Sequence, residues 1–156
     1  MELHVWTDGS GDTRPPRIGG WAFVVRSVDN PFIVAEISGA EHETTSQRME
    51  IVAFLKALEW PVAACDITVH CDSAYVANTI KLGWINGWRR NGWKTREGGD
   101  IKNRDLWERV DRMISFHRSV TMVKVKGHTD VEFNNLADEL AGKARKEALR
   151  LHKERS

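Results

Sequence analysis

Residues 3–10 read LHVWTDGS, and the order of residue types in this octapeptide decides how the rest of the chain is read. Leu3, Val5 and Thr7 alternate with His4, Trp6 and Asp8, the period-two pattern of a strand. The alternation predicts that Trp6 and Asp8 share one face of a sheet. An acidic side chain in an apolar strand is informative, because carboxylates are rarely buried unless they are paired or hold a metal. A strand-end aspartate facing water also fits, since Gly9 can begin a turn.

Outward from this strand, GSGDTRPPRIGG predicts a turn. WAFVVRSV and PFIVAEISGA predict two more strands, with Pro31 marking the turn between them. Three strands with short connections imply an antiparallel meander. Thr45 or Ser46 suits a helix N-cap. Met49, Val52, Ala53, Leu55 and Leu58 then follow helical spacing until Pro61 ends the helix. DITVHCDS predicts a fourth strand, and Ser73 caps the next helix, SAYVANTIKL. Five glycines and three tryptophans in residues 83–100 predict an irregular excursion or a broken helix. RDLWERVDRMISFH is a third long helix, and SVTMVKVKGH a fifth strand. From Asn135 onward the pattern is helical, with the basic tail 150–156 expected to fray. Strands four and five are joined through helices, so they should run parallel. The expected fold is a single α/β domain over residues 1–156, a five-stranded mixed sheet with helices on its faces.

The composition is that of a globular chain, 41% hydrophobic and 29% charged over 156 residues. No apolar run reaches the length of a membrane span. The N-terminus enters a strand pattern directly, without a basic-then-apolar leader, so a cytoplasmic location is expected. Six residues of extended chain would separate Cys65 and Cys71 by roughly 20 Å, too far for a disulfide. Both read as small buried side chains in a reducing compartment. Net charge is +1, but it is unevenly spread. Residues 81–104 hold seven basic residues against two acidic ones, whereas the remainder of the chain carries 16 basic and 20 acidic residues. A basic segment of about 81–104 on an acidic body suggests an arm for a polyanion.

Three further acids complete a set with Asp8. Asp72 follows the fourth strand, where open α/β sheets place ligand-binding groups, although a first-turn helix acid is also common there. Glu50 lies in the first turns of a helix whose other face is apolar, and alone it would read as solvent-facing. Asp138 lies near the start of a charge-rich helix, the weakest of the four taken singly. Together they change meaning. Magnesium prefers hard oxygen ligands and takes a few carboxylates plus substrate phosphate oxygens. Two such ions roughly 4 Å apart can serve both sides of a phosphodiester displacement.

The motifs TDGS, RMEIVA, CDSAYV, WRRNGWKT, KNRDLW and VKGHTDVEFNNLADELA resemble, in order and spacing, those of type 1 ribonuclease H, from Leu3 to about Ala148. That resemblance implies an endonuclease that hydrolyses the RNA strand of RNA–DNA hybrids, leaving 3′-hydroxyl and 5′-phosphate ends. It places the catalytic, metal-holding acids at Asp8, Glu50, Asp72 and Asp138, with two Mg2+ ions that Mn2+ can replace. Asp138 would serve the ion near the attacking water, and Glu50 would face the RNA 2′-hydroxyl. His128 in KGHTD would move a proton to the leaving group or assist product release, as an imidazole titrating near neutral pH can. His4, His42, His70, His117 and His152 fit no constellation.

The resemblance also aligns Thr45 and Asn103 with a pocket for a DNA phosphate, and Ser10, Gly11, Ser46 and Gln47 with the RNA 2′-hydroxyls of the minor groove. The segment with Trp84, Trp88, Arg89, Arg90, Trp93 and Lys94 is similar to the basic protrusion with which some members grip DNA. Tryptophan can pack against sugars there and stiffen the arm. A satellite hydrophobic cluster with a solvated charged face is the plainer account of the same residues. Four departures stand out: Arg14 and Arg17 in a turn usually rich in glycine and asparagine, Glu43 in place of a supporting arginine, and Ala74 in place of a longer side chain. Competing readings are an integrase or transposase core, a catalytically silent hybrid-binding module and a fragment of a reverse transcriptase. The histidine loop and tryptophan-rich arm oppose the first, and four mutually repelling acids oppose the second. A first strand beginning at Met1 favours a free-standing protein, expected to be a monomer, over the third.

Overall fold

A computed structural model describes residues 1–29, 32–125 and 131–155. The strands are β1 (Glu2–Gly11), β2 (Gly19–Ser27), β3 (Ile33–Glu41), β4 (Asp66–Cys71) and β5 (Ser119–Lys124). They form one sheet in the order β3-β2-β1-β4-β5. β1, β2 and β3 pair antiparallel, whereas β4 pairs parallel with both β1 and β5. The meander and the parallel pair are as expected. Pro31 lies outside the described residues. The helices are α1 (Ser46–Glu59), α2 (Ala74–Lys81), α3 (Trp84–Arg90), α4 (Arg104–Phe116) and α5 (Val131–Arg155).

The β1 alternation splits as its pattern predicts. Leu3 and Val5 enter the main core with Phe23, Val25, Ile67 and Val69. Trp6 joins Val24 and Ala137 of α5 in a smaller core on the other face. The sheet is therefore covered on both sides, and β2 reads as the unbroken buried run Ala22–Val25 rather than as an alternation.

Helix α1 is more buried than its heptad-like spacing suggested. Ile51, Phe54 and Ala57 are buried along with Met49, Val52, Ala53, Leu55 and Leu58. The cause is α4, which stacks on the outer side of α1 and contributes Leu106, Trp107 and Val110 to the same core. A helix enclosed from both sides must be apolar nearly all round. Thr45 is its N-cap, its hydroxyl oxygen accepting from Arg48 N at 3.0 Å.

Three local expectations need correction. The turn after β1 is shorter than GSGDTRPPRIGG suggested: β1 runs through Gly11 and β2 starts at Gly19. Helix α5 begins at Val131 rather than Asn135, so Asp138 sits about two turns inside it. The tail expected to fray continues α5 to Arg155, with Arg150 bridging Glu147 and Glu154 along the helix. Both cysteines are buried and free. No described helix is long and apolar enough to cross a membrane.

Candidate active site

The parallel register of β1 and β4 ends with Thr7 opposite Cys71. The next residues are Asp8, still within β1 and paired with Ala22 of β2, and Asp72, the first residue beyond β4, so two carboxylates stand side by side where the β1–β4 pairing ends. Ser73 caps α2, its hydroxyl accepting from Val76 N at 3.2 Å, which turns the chain away immediately after Asp72.

Glu50 arrives from α1. Gly9 is what lets it arrive: a Cβ on Gly9 would overlap the backbone of Met49 and Glu50. With only hydrogen there, the helix backbone rests on the strand, and Gly9 N–H donates to Glu50 Oε1 at 3.1 Å. Ligand oxygens of Asp8, Glu50 and Asp72 all lie within 4.8 Å of one another. Asp138 comes from α5 on the opposite face of the sheet, and its side chain lies within hydrogen-bonding reach of Asp8. Helix α5 is also seated through a missing side chain. A Cβ on Gly20 would overlap Ala141 O and stand 2.9 Å from Arg145 N.

The four acids strain one another electrostatically. Asp8 is 5% exposed. Burial, above all, raises its pKa, and the nearby charges of Asp138 and Asp72 act in the same direction. Burial raises Glu50 as well, assisted by Asp8. The contact between these two lowers Asp8 and raises Glu50. Cys71, beneath them, is pushed up to about 12 by burial and then by the Glu50 charge. Glu50 Oε2 is buried with no donor among the described residues. A concave set of hard oxygens, one of them orphaned, fits a divalent cation that prefers carboxylate ligands.

A sequence profile of the RNase H family matches residues 1–146. The chain belongs to that family. It is 44% identical over 144 residues to a ribonuclease H from Jannaschia sp., covering 90% of this chain and 88% of the relative. It is 37% identical over 140 residues to one from Acetivibrio thermocellus, covering 90% and 92%. Among solved structures, a type 1 RNase H with the type 2 active-site motif superposes with a TM-score of 0.78 at 24% identity, covering 94% of this chain and 72% of that one. The RNase H family comprises endonucleases that cleave RNA in RNA–DNA hybrids, and the five-stranded mixed sheet is its fold.

Beside the RNase H carboxylates lies a rim of small polar groups. Gly11 packs against Ser46, whose hydroxyl donates to Gly11 O at 3.4 Å. Gly11, Thr45, Ser46 and Gln47 thus gather where the end of β1 meets the start of α1, while the Ser10 side chain turns to the α5 face, where Arg145 Nε donates to its hydroxyl. Asn103 joins Thr45 through a residue that the sequence reading passed over. Arg48 donates to Asn103 Oδ1 at 3.1 Å and pairs with both carboxylate oxygens of Asp105, at 3.1 and 2.6 Å. Asn103 adopts a left-handed backbone, φ 59°, and does not cap α4 with its side chain. Its Nδ2 is buried without a hydrogen-bond partner among the described residues. Glu43 is exposed and is not the group that supports this pocket; a cation reaches it from Arg48 instead.

The arm differs from its sequence reading. Trp88 and Trp93 pack onto the main core, Trp88 lying 5.7 Å from Trp107 between ring centres. They anchor α3 as an extension of that core rather than forming a satellite. Trp84 is the most exposed of the three, 40%, and stands beside Tyr75. Three of the seven basic residues are neutralised: Arg89 by Asp111, Lys94 by Asp100, and Arg104 by Asp100 and Glu108. Lys81, Arg90, Arg96 and Lys102 are exposed and make no ion pair among the described residues. His128 lies outside the described residues. The signals that could have found Gly9 and Gly20 were present, since each interrupts a strand pattern where another backbone approaches.

Proposed function

We propose that this RNase H cuts the RNA strand of RNA–DNA hybrids by water attack at phosphorus, leaving 3′-hydroxyl and 5′-phosphate ends. The single observation that carries this reading is the convergence of Asp8, Glu50 and Asp72 within 4.8 Å, with Asp138 beside Asp8. These four carboxylates would hold two divalent cations, Mg2+ by preference and Mn2+ as a substitute. Bound there, the ions would supply an activated water and stabilisation of the departing oxygen.

The remaining parts belong to the chain itself. Asp8 is a rigid ligand, since it sits within β1 and pairs with Ala22, and Asp72 is held between the end of β4 and the Ser73 cap of α2. Glu50, tethered by Gly9 N–H, faces the RNA 2′-hydroxyl side. His128 carries a proton toward the 3′ oxygen. Ser10, Gly11, Ser46 and Gln47 meet the minor groove, where the 2′-hydroxyl distinguishes RNA from DNA. Thr45, Asn103 and the Arg48 guanidinium receive a DNA phosphate. Trp84, Trp88, Arg89, Arg90, Trp93 and Lys94 bring the arm to the DNA strand, with Arg90 the most available cation of that set. The enzyme works as a monomer, since one chain supplies all four carboxylates. It works in the cytoplasm, where its two free cysteines suit reducing conditions.

The test compares wild type and Asp72→Asn on an RNA–DNA hybrid, duplex RNA and duplex DNA of one sequence, with magnesium and with chelator. Metal-dependent cutting of the hybrid's RNA strand alone, lost in the variant, is expected. Binding without cutting, or cutting of duplex DNA, would overturn the proposal.

A further inference from the structure

Arg145 on α5 reaches across to the end of β1, where its Nε donates to Ser10 Oγ at 2.9 Å in a partly buried contact. Neither residue type predicts this pairing, because the two are 135 positions apart. Gly20 creates it. Ser10 pairs with Gly20 across the β1–β2 ladder, and the bare glycine lets the Ala141–Arg145 turn of α5 settle directly onto it. Among the described residues no carboxylate makes an ion pair with Arg145. Beside the contact opens a cleft of about 420 Å³ lined by Ser10, Asp138, Lys143, Arg145 and Lys146, among others. The cleft thus borders one of the four acids, and its three cations face two carboxylates, Asp138 and Glu139.

The hydrogen-bond inventory of serine gives this contact a chemical meaning. A serine hydroxyl has one proton to donate and two lone pairs. Guanidinium can only donate, so Ser10 must accept from Arg145, and its own proton is left for another acceptor. We infer that Arg145 is a positioning residue for RNA recognition: it holds the Ser10 hydroxyl as a donor to the 2′-oxygen of a ribose in the RNA strand. The inference rests on the proposed function, and in particular on Ser10 meeting the minor groove. Lys143 and Lys146 line the same cleft, opposite Asp138 and Glu139, within reach of a phosphodiester attached to that ribose. Without Arg145 the hydroxyl is free to rotate, and its proton is no longer reserved for substrate.

Arg145→Gln separates the hydrogen bond from the charge. The glutamine Nε2 occupies the same place along the side chain as arginine Nε, so it keeps a donor for Ser10 while removing the cation. Steady-state cleavage of an RNA–DNA hybrid in magnesium would be measured for wild type, Arg145→Gln, Arg145→Ala, Ser10→Ala and the Ser10→Ala/Arg145→Ala double variant. Arg145→Ala and Ser10→Ala should each raise KM about fivefold, as loss of one charge-assisted or substrate hydrogen bond implies, with the loss carried by KM rather than kcat. The double variant should be no worse than about fivefold, because both changes remove one shared interaction. Arg145→Gln should stay within about twofold of wild type. A double variant impaired about 25-fold, the product of independent effects, would overturn the inference. So would an Arg145→Gln enzyme as impaired as Arg145→Ala, since charge alone would then be responsible. Thermal unfolding of each variant shows whether it is folded, and Arg145→Gln still decides the matter if Arg145→Ala is not. A wild type that leaves the hybrid uncut would instead sink the functional reading itself.

Discussion

Around Asp8 and Glu50, like charges are held together under cover, whereas between Lys81 and Arg104 opposite charges meet in the open. The carboxylate site is assembled from four elements of the fold and sealed by glycines that let backbones touch. The arm is one continuous segment, pinned at its base by Trp88 and Trp93 and decorated with ion pairs whose members are mostly exposed. One region stores electrostatic repulsion that a cation can release. The other neutralises part of its own charge and keeps four cations for a partner. Net charge near zero conceals both, so the useful quantity is where each charge lies and what it already touches.

The largest effect should come from removing a site carboxylate. Asp8→Asn should lower hybrid cleavage by about three orders of magnitude, since several kcal/mol of charge stabilisation is lost and about 1.4 kcal/mol is tenfold in rate. In chelator the same variant should unfold at higher urea than wild type, because a repelling charge has gone. Opposite signs for activity and metal-free stability would confirm that the site carries stored repulsion. A metal-free stability loss would break that half of the comparison.

Next in size is Gly9→Ala. Its Cβ would overlap the α1 backbone, so helix and strand must separate. We expect a loss of about 1–3 kcal/mol in urea unfolding, typical of overpacking, together with a fall in cleavage as Glu50 withdraws. Alanine at Gly92, where added atoms meet nothing within 4 Å, should leave cleavage far less changed despite its positive φ.

The third effect is a pH dependence of the metal-free protein. Asp8 and Glu50 have folded pKa values raised above their unfolded values of about 4. Each therefore binds its proton more tightly when folded, and its contribution is complete below about pH 4. It is lost as pH rises through the folded value, which for Asp8 is about 7. The unfolding free energy from urea titration in chelator should fall between pH 5 and pH 8 by on the order of 1 kcal/mol or more. Magnesium at pH 8 should restore stability, and Glu50→Gln should flatten the slope. An unchanged slope in Glu50→Gln would show that other groups carry it.

The smallest effect separates the arm's two kinds of cation. Arg90→Ala should weaken hybrid binding a few-fold and reduce the slope of log affinity against log salt by about one. Arg89→Ala should change that slope less, because Arg89 is already bonded to Asp111 at 2.6 and 2.8 Å. Equal slopes for the two variants would mean that Arg89 leaves Asp111 when the hybrid arrives.

Much of this was legible before any coordinates. Period-two alternation in LHVWTDGS put Trp6 and Asp8 on one face because strand geometry leaves no alternative. Ser73 as a cap, Thr45 or Ser46 as another, and the parallel relation of β4 and β5 follow from equally local or topological rules, and the structure chose Thr45. The extra burial of Ile51, Phe54 and Ala57 was not legible, since it depends on α4 arriving over α1 from more than 50 residues away. The start of α5 was missed although Phe133 already stands in register with Leu136, Ala137 and Leu140.

The sequence by itself determined the element order and the mixed sheet, because these rest on spacing and propensity within short windows, and its six motifs in register pointed by resemblance to the four acids. Only the tertiary structure decided which backbones touch. Gly9 against Glu50, Gly20 against Ala141, Arg48 between Thr45 and Asn103, and Arg145 on Ser10 all join segments far apart in the chain. No local pattern encodes such a meeting, since it depends on how the intervening elements pack. Which cations remain free was settled the same way: Arg89 and Arg90 are neighbours in sequence, and only the position of Asp111 tells them apart.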